Sequence, residues 1–332
     1  MISESDNEKF LNLYKNELVK LELKITRVFE KRLPKSLYQP CKYAIESGGK
    51  RIRPFFVLLA AKAAGGNFDQ VYNAAIAVEL LHNFTLVHDD IMDNSTIRRC
   101  RPTLHIKYDV NTAILAGDSL IALAYEYLLK DTPENSKSII ETFTQSVVEV
   151  CEGQSLDKEF ETRRNVTIND YKKMIYQKTA ALLVMSGKIG AQMVTVKKNI
   201  IDAISKYAAN IGMAFQIQDD LLDITANQNK FGKKIGNDLI EGKKTFLFLK
   251  AYEKASGKDK RELNNFIKNK GIPEHKIPVF NEIYERLGVF EDAKNEIKRY
   301  TQLGINQLKV FKDKEAKNLL VWFANFLLNR KY

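Results

Sequence analysis

Two stretches of the chain repeat one acidic pattern. Asp89-Asp90-Ile91-Met92-Asp93 and Asp219-Asp220-Leu221-Leu222-Asp223 both read Asp-Asp-x-x-Asp. With 18 Asp in the chain, independent placement gives roughly 0.05 such matches, so two copies demand a reason. Asp89 and Asp93 lie four residues apart, which on a helix puts them on one face, and the same holds for Asp219 and Asp223. Like charges at that spacing repel by a few tenths of a kcal/mol. Each motif also closes a long apolar segment, so it falls at a helix C-terminus, whose partial charge is already negative. A bound cation would offset both costs. Paired carboxylate oxygens suit a hard ion, Mg2+ first, which takes one or two carboxylates and completes its shell with water and phosphate. Asp89, Asp93, Asp219 and Asp223 are therefore the candidate metal ligands. Two such clusters on facing helices would hold several Mg2+ around one diphosphate and stabilise its charge as it departs.

Cations gather beside these acids. Gly49-Lys50-Arg51-Ile52-Arg53-Pro54 places three of them at a glycine-rich helix start, a natural anion site. Arg98-Arg99 follows the first motif by five residues, Lys178-Thr179 sits within a helix, Lys233-Lys234 follows the second motif, and Lys243-Lys244 opens the next helix. Any one of these reads as surface charge; their positions beside the acidic motifs favour anion binding. The Gly-Lys pairs are not a nucleotide-binding P-loop, because the glycine spacing is wrong and no strand precedes them. His82, two turns before Asp89, suits either packing or the site. His88 adjoins the motif and reads as a supporting partner of it.

The elements that must carry these residues are helical. The chain has 332 residues with only 16 Gly and 7 Pro, which disfavours loop-rich β architectures. Ile76, Leu80, Phe84, Val87 and Ile91 step by three or four, and no comparable segment alternates with period two. Helices are expected at roughly 6–32, 37–47, 53–64, 69–93, 112–130, 135–160, 168–188, 198–225, 243–255, 258–269, 279–302 and 313–329. Nothing marks a boundary, so 1–332 reads as a single all-α domain. Cys41, Cys100 and Cys151 form no metal or disulfide pattern. The first ten residues lack an apolar signal core, and no apolar run reaches the roughly 18 residues of a membrane span. A reducing, cytoplasmic setting is the expectation. The net charge of +11 invites a nucleic-acid partner, yet the C-terminal surplus is interspersed with acids, like a solvated helix face. No nucleic-acid partner is expected.

Taken together, these blocks resemble the trans-type, head-to-tail isoprenyl diphosphate synthases of short chain length. The match runs through Gly48 to Pro54, His82, Leu86 to Asp93, Arg98-Arg99, Pro102-Thr103, Gly117-Asp118, Gly153 to Asp157, Lys178-Thr179, Phe215 to Asp223, Gly232-Lys233, Gly236, Asp238 and Glu241 to Thr245. Residues 246–332 match only as generic helices. The resemblance implies an orthogonal helical bundle around a deep central cavity, a homodimer, and condensation of isopentenyl diphosphate with an allylic diphosphate. It implies three Mg2+ held by Asp89, Asp93 and Asp219, which ionise the allylic substrate. Lys178, Lys243 and Arg98 would hold its diphosphate, with Thr179, Gln216 and Lys233 around it. Lys50, Arg53, His82 and Arg99 would hold isopentenyl diphosphate. The departed diphosphate would take the proton. One position departs from the family, which usually has Gly where this chain has Cys100.

Product length depends on what lies below the first motif. Thr85 and Leu81 share the face of Asp89 by helix geometry, whereas the family's chain-length position is Phe84. Phe84 also fits as a core residue of the apolar series. A bulky Phe84 beside Thr85, without an insertion in the motif, resembles archaeal-type geranylgeranyl diphosphate synthases. A C20 product is expected, with farnesyl or longer-chain products as alternatives. A terpene cyclase or a silent subunit of the same fold is the competing class; the first needs only one diphosphate site, and the second usually loses an acidic motif.

Overall fold

Apolar residues recur every three to four positions along the chain, and in the computed structural model the backbone follows them. The structure describes residues 3–133, 136–225 and 236–328. Among these, the helices are α1 Glu4–Arg27, α2 Lys35–Ile45, α3 Ile52–Ala63, α4 Tyr72–Met92, α5 Leu104–Lys107, α6 Val110–Asp131, α7 Lys137–Thr162, α8 Ile168–Ile175, α9 Ala181–Gln192 and α10 Lys198–Thr225. They continue with α11 Asn237–Ile240, α12 Phe246–Lys254, α13 Gly257–Asn269, α14 Ile277–Arg286, α15 Val289–Gln307 and α16 Lys314–Leu328. The fold is all-α, as expected. A two-residue hairpin, β1 Ile97–Arg98 with β2 Arg101–Pro102, interrupts the loop after the first motif.

Three expected helices differ in their continuity. The segment 279–302 is two helices, because Gly288 takes a left-handed φ of 68° between α14 and α15. The first helix stops at Arg27 rather than near residue 32. Between α8 and α9 runs a π-helical turn, Tyr176–Ala180. Such turns concentrate at functional sites.

The described chain forms two compact units. The first comprises Met1–Thr144, Leu182–Ser205 and Leu308–Trp322, and the second Gln145–Ala181, Lys206–Gln307 and Phe323–Tyr332. In the first, α3 is buried from Pro54 to Ala61. Phe10, Tyr14 and Phe55 close around the Trp322 ring at 6.2, 6.4 and 6.5 Å. Each such aromatic burial contributes about 1.5–3 kcal/mol. Gly190 of α9 lies against the Val57 carbonyl, where a Cβ would come within 2.3 Å. Helix α6 is long and apolar enough to cross a membrane by length and composition, although Asp118 and Glu126 interrupt its apolar run. Its Ala113, Ala116, Gly117, Leu120, Leu123, Ala124 and Leu128 are nevertheless buried inside this unit. In the second unit, Phe248 stacks on Phe266 at 4.3 Å, with Phe280 and Tyr284 continuing the aromatic core.

Candidate active site

The first acidic motif ends α4, and its three carboxylates divide. Asp89 and Asp93 are half-buried, whereas Asp90 is only 5% exposed. Arg98 grips Asp90 with Nε at 2.8 and 2.9 Å from the two carboxylate oxygens and Nη2 at 2.7 Å. The same Nη2 stands 3.8 Å from Asp89. The hairpin explains how Arg98 arrives there. Its central residues Arg99 and Cys100 both have positive φ, 51° and 59°, the type I′ geometry that turns a chain back in two residues. Burial pushes the Asp90 carboxyl above its usual value, and Arg98 pulls the other way.

The glycine-rich loop supplies a second cluster in the same unit. The Arg99 guanidinium lies on the Gly48-Gly49 backbone, donating to the Gly48 carbonyl. A Cβ on Gly49, whose φ is 142°, would meet Arg99 Nη1 at 2.9 Å, so this close approach requires glycine. Arg53 Nη1 is 3.1 Å from His82 Nε2. Burial, then Arg53 and Arg99, push the His82 pKa well below its usual value. A neutral His82 accepting at Nε2 carries its proton on Nδ1, which is enclosed and has no hydrogen-bond partner. Lys50 is exposed in the same loop. Arg53, His82 and Arg99 are thus brought together around two glycines, an arrangement whose charge suits an anion.

Below the first motif, Phe84 is half-buried and meets the His88 ring edge-on at 4.8 Å. His88 Nε2 is 3.8 Å from Asp118, and Gly117 leaves room for its ring, since a Cβ there would fall 2.2 Å from Nε2. The Thr85 hydroxyl donates to the His82 carbonyl at 2.8 Å. Leu81 is fully buried.

In the second unit, α10 repeats the pattern of α4. Asp219 and Asp223 are half-buried and Asp220 is 4% exposed. Asp220 accepts from Tyr171 Oη at 2.6 Å, Gln216 Nε2 at 3.0 Å and the Phe246 amide at 3.1 Å. Burial, with the charge of Asp238 adding to it, raises Asp220 to about 7. Asp223 accepts from the Asp238 amide at 3.2 Å and so also steadies the start of α11. The π-helical turn carries Lys178 and Thr179. Lys178 Nζ is 2.6 Å from Asp157, and the Thr179 hydroxyl donates to Gln216 at 2.8 Å. Gly153 of α7 permits this, because a Cβ there would sit 2.3 Å from the Lys178 amide nitrogen. Burial opposes the charge on Lys243, but Asp238 and Glu241 outweigh it and raise its pKa. Asp157, Tyr171, Lys178, Gln216, Asp220, Asp238, Lys243 and Lys244 line one open cleft. Lys244 turns away to the carbonyl of Phe160. Lys233 lies outside the described residues.

Several contributors carried no role in the sequence reading. Asp157 stood inside a quoted motif without one, Tyr171 and the Phe246 amide gave no signal, and the middle Asp of each motif looked like its neighbours. Among the described residues no three metal-binding side chains gather at one point. The donors are oxygen-only and come in i,i+4 pairs, which fits Mg2+ completing its shell with substrate phosphate and water.

The chain is similar to known proteins over most of its length. The chain matches the polyprenyl synthetase family over residues 34–286. It is 38% identical over 320 residues to the geranylgeranyl diphosphate synthase of Methanosarcina mazei, covering 96% of this chain and 97% of that protein. To the short chain isoprenyl diphosphate synthase of Methanothermobacter thermautotrophicus it is 38% identical over 301 residues, 90% and 92% of the two chains. The crystal structure of the geranylgeranyl pyrophosphate synthetase of Pyrococcus horikoshii superposes with a TM-score of 0.91 at 34% identity, covering 98% and 99%.

Proposed function

The chain belongs to the polyprenyl synthetase family and is a trans-type prenyltransferase, and from that premise we propose that it condenses isopentenyl diphosphate with an allylic diphosphate to give geranylgeranyl diphosphate. The observation that carries the two-substrate reading is the anion site of Arg53, His82 and Arg99 around Gly48-Gly49. It is chemically distinct from the acidic motifs and suits a diphosphate that needs no metal. Lys50, Arg53, His82 and Arg99 bind isopentenyl diphosphate there. Neutral His82, with Nε2 at 3.1 Å from Arg53 Nη1, helps to orient that guanidinium toward the diphosphate.

Lys178, Lys243 and Arg98 hold the allylic diphosphate, with Thr179, Gln216 and Lys233 around it. Asp89, Asp93, Asp219 and Asp223 would hold Mg2+, which would supply charge stabilisation for the departing diphosphate. Positioned cations hold both substrates in a reactive orientation. The bond between the two prenyl units forms at the ionised allylic carbon, and the proton lost on elimination passes to the released diphosphate. Apolar helix faces exclude water from the cation. Asp89, Asp93, Lys178, Asp219 and Lys243 are the groups on which ionisation depends.

The C20 product is supported by Phe84, whose ring is backed by His88, as the floor of the prenyl cavity with Thr85 and Leu81 beside it. Residues 1–332 act as one catalytic domain in the cytoplasm. A homodimer goes with this reading; Ile114, Leu115 and Leu129 of α6 are 40%, 60% and 58% exposed and offer an apolar face for it. The test is incubation with labelled isopentenyl diphosphate, Mg2+ and each of dimethylallyl, geranyl and farnesyl diphosphates, with products sized after dephosphorylation. Incorporation ending at C20 is expected. A folded sample that incorporates no label with any primer overturns the synthase reading, and a main product of C15 or beyond C20 overturns the chain length.

A further inference from the structure

The glycine-rich loop contains one cation that the reaction does not use. Lys50 is exposed and Arg53 half-buried, but the Arg51 side chain is fully enclosed. Its Nε and Nη2 donate to the two carboxylate oxygens of Glu22 in α1 at 2.7 and 3.1 Å. Its Nη1 donates to Glu79 of α4 at 2.6 Å, and Nη2 also reaches the Ile45 carbonyl that ends α2 at 2.7 Å. Four of its five N–H donors are thereby engaged. Glu79 is itself oriented by Asn83 Nδ2 at 3.0 Å. One guanidinium facing two carboxylates has no charge left for a ligand.

The backbone at this residue gives the network a purpose. Arg51 takes φ 43° and ψ 40°, a left-handed conformation that a side chain other than glycine's adopts only when its surroundings hold it. It follows Gly48 and Gly49 at φ 82° and 142°. Its carbonyl accepts from the Phe55 amide at 3.0 Å, so this turn starts α3 and aims Arg53 toward His82. Just before it, the Lys50 carbonyl accepts from Tyr14 Oη at 2.5 Å.

We propose that Arg51 is a positioning residue for the homoallylic substrate: clamped by Glu22, Glu79 and the Ile45 carbonyl, it fixes the strained loop so that Lys50 and Arg53 meet the diphosphate of isopentenyl diphosphate. The inference rests on the substrate assignment above. It separates the three cations of one motif into two ligands and one internal anchor.

Two variants test it, Arg51→Lys, which cannot reproduce the forked contact, and Glu22→Gln, which weakens one arm at the half-exposed carboxylate. Steady-state kinetics are measured with each substrate varied in turn, and amide hydrogen exchange of the 48–53 segment is followed in the unliganded protein. The expected result for Arg51→Lys is a KM for isopentenyl diphosphate raised about tenfold or more, with kcat and the allylic KM within about threefold, and faster exchange of the loop. Glu22→Gln should move both readouts the same way by a smaller factor, and it decides the matter if Arg51→Lys does not fold. Equal rises in both KM values, or unchanged exchange in both variants, would overturn the proposal. If the wild-type enzyme turned over no substrate, the substrate reading would fall, while the exchange rates would still show whether Arg51 holds the loop.

Discussion

In each acidic motif the outer carboxylates are half-buried, while Asp90 and Asp220, 5% and 4% exposed, are fully hydrogen-bonded within their own unit. Under the proposed function the outer pair meets the cations, and the middle residue locks the helix end to its neighbours. A buried carboxylate left unpaired is costly, so Arg98 and Tyr171 are as necessary to the motifs as the acids themselves. Under the C20 proposal Phe84 sets the product length. Phe84→Ala should lengthen the main product by at least one isoprene unit, read by chromatography of the dephosphorylated prenols; an unchanged distribution would remove Phe84 from the cavity floor. Cys100 occupies a left-handed turn position at φ 59° that costs a non-glycine residue about 1 kcal/mol. Cys100→Gly should therefore stabilise the protein by up to about 1 kcal/mol, offset by the greater freedom of glycine in the unfolded chain. Urea unfolding checks this.

Among the elements, the π-helical turn Tyr176–Ala180 sets the placement of Lys178 and Thr179. A regular α-helix over 168–188 would carry Lys178 and Thr179 at other angles, whereas the extra residue in the turn sets Lys178 on Asp157 and Thr179 on Gln216. Gly153 lets α7 lie against that turn. Gly153→Ala should push the Lys178 backbone away and lower kcat by about 100-fold, because misplacement of about 1 Å costs that much in an oriented site. Its secondary structure by circular dichroism should remain near that of the wild type. A kcat within about threefold of the wild type would show that the turn tolerates the added methyl.

At the scale of the whole molecule, stability depends on pH through ion pairs whose residues do not line the cleft. Glu296 of α15 pairs with Arg299 and with Lys172 of α8 at 2.8 Å each. The bond from Arg299, against the effect of burial, and then Lys172 hold its carboxyl down at about 2 from an ordinary 4.5. The folded state therefore binds this proton less readily than the unfolded chain. Its contribution is complete above about pH 4.5 and disappears as pH falls toward about 2. Glu296→Gln should be less stable at pH 7 and lose less stability on acidification over that window, measured by urea unfolding at successive pH values. Parallel pH profiles for the two proteins would count against the pair. The +11 charge also has a local meaning, since several of the cations nearest the motifs, including Arg51, Arg98, Lys178 and Lys243, are paired with acids within their own unit.

The sequence by itself determined the helical class, the two acidic helix faces and the reaction family. These follow from relations within a turn or two: the i,i+4 carboxylates, the three-to-four-residue apolar period, and glycines beside cations. The break at Gly288 and the π-helical turn escaped that reading, because the apolar period runs through both without interruption. Only the tertiary structure decided which member of each repeated residue type stays partly exposed and which is buried. Arg51 is separated from Arg53 by a single residue, yet it is buried because Glu79, 28 residues away, waits for it. Asp220 differs from Asp219 because Tyr171, 49 residues away, donates to it. Such partners meet through packing of distant helices, and periodicity specifies the face a side chain takes without specifying what stands opposite.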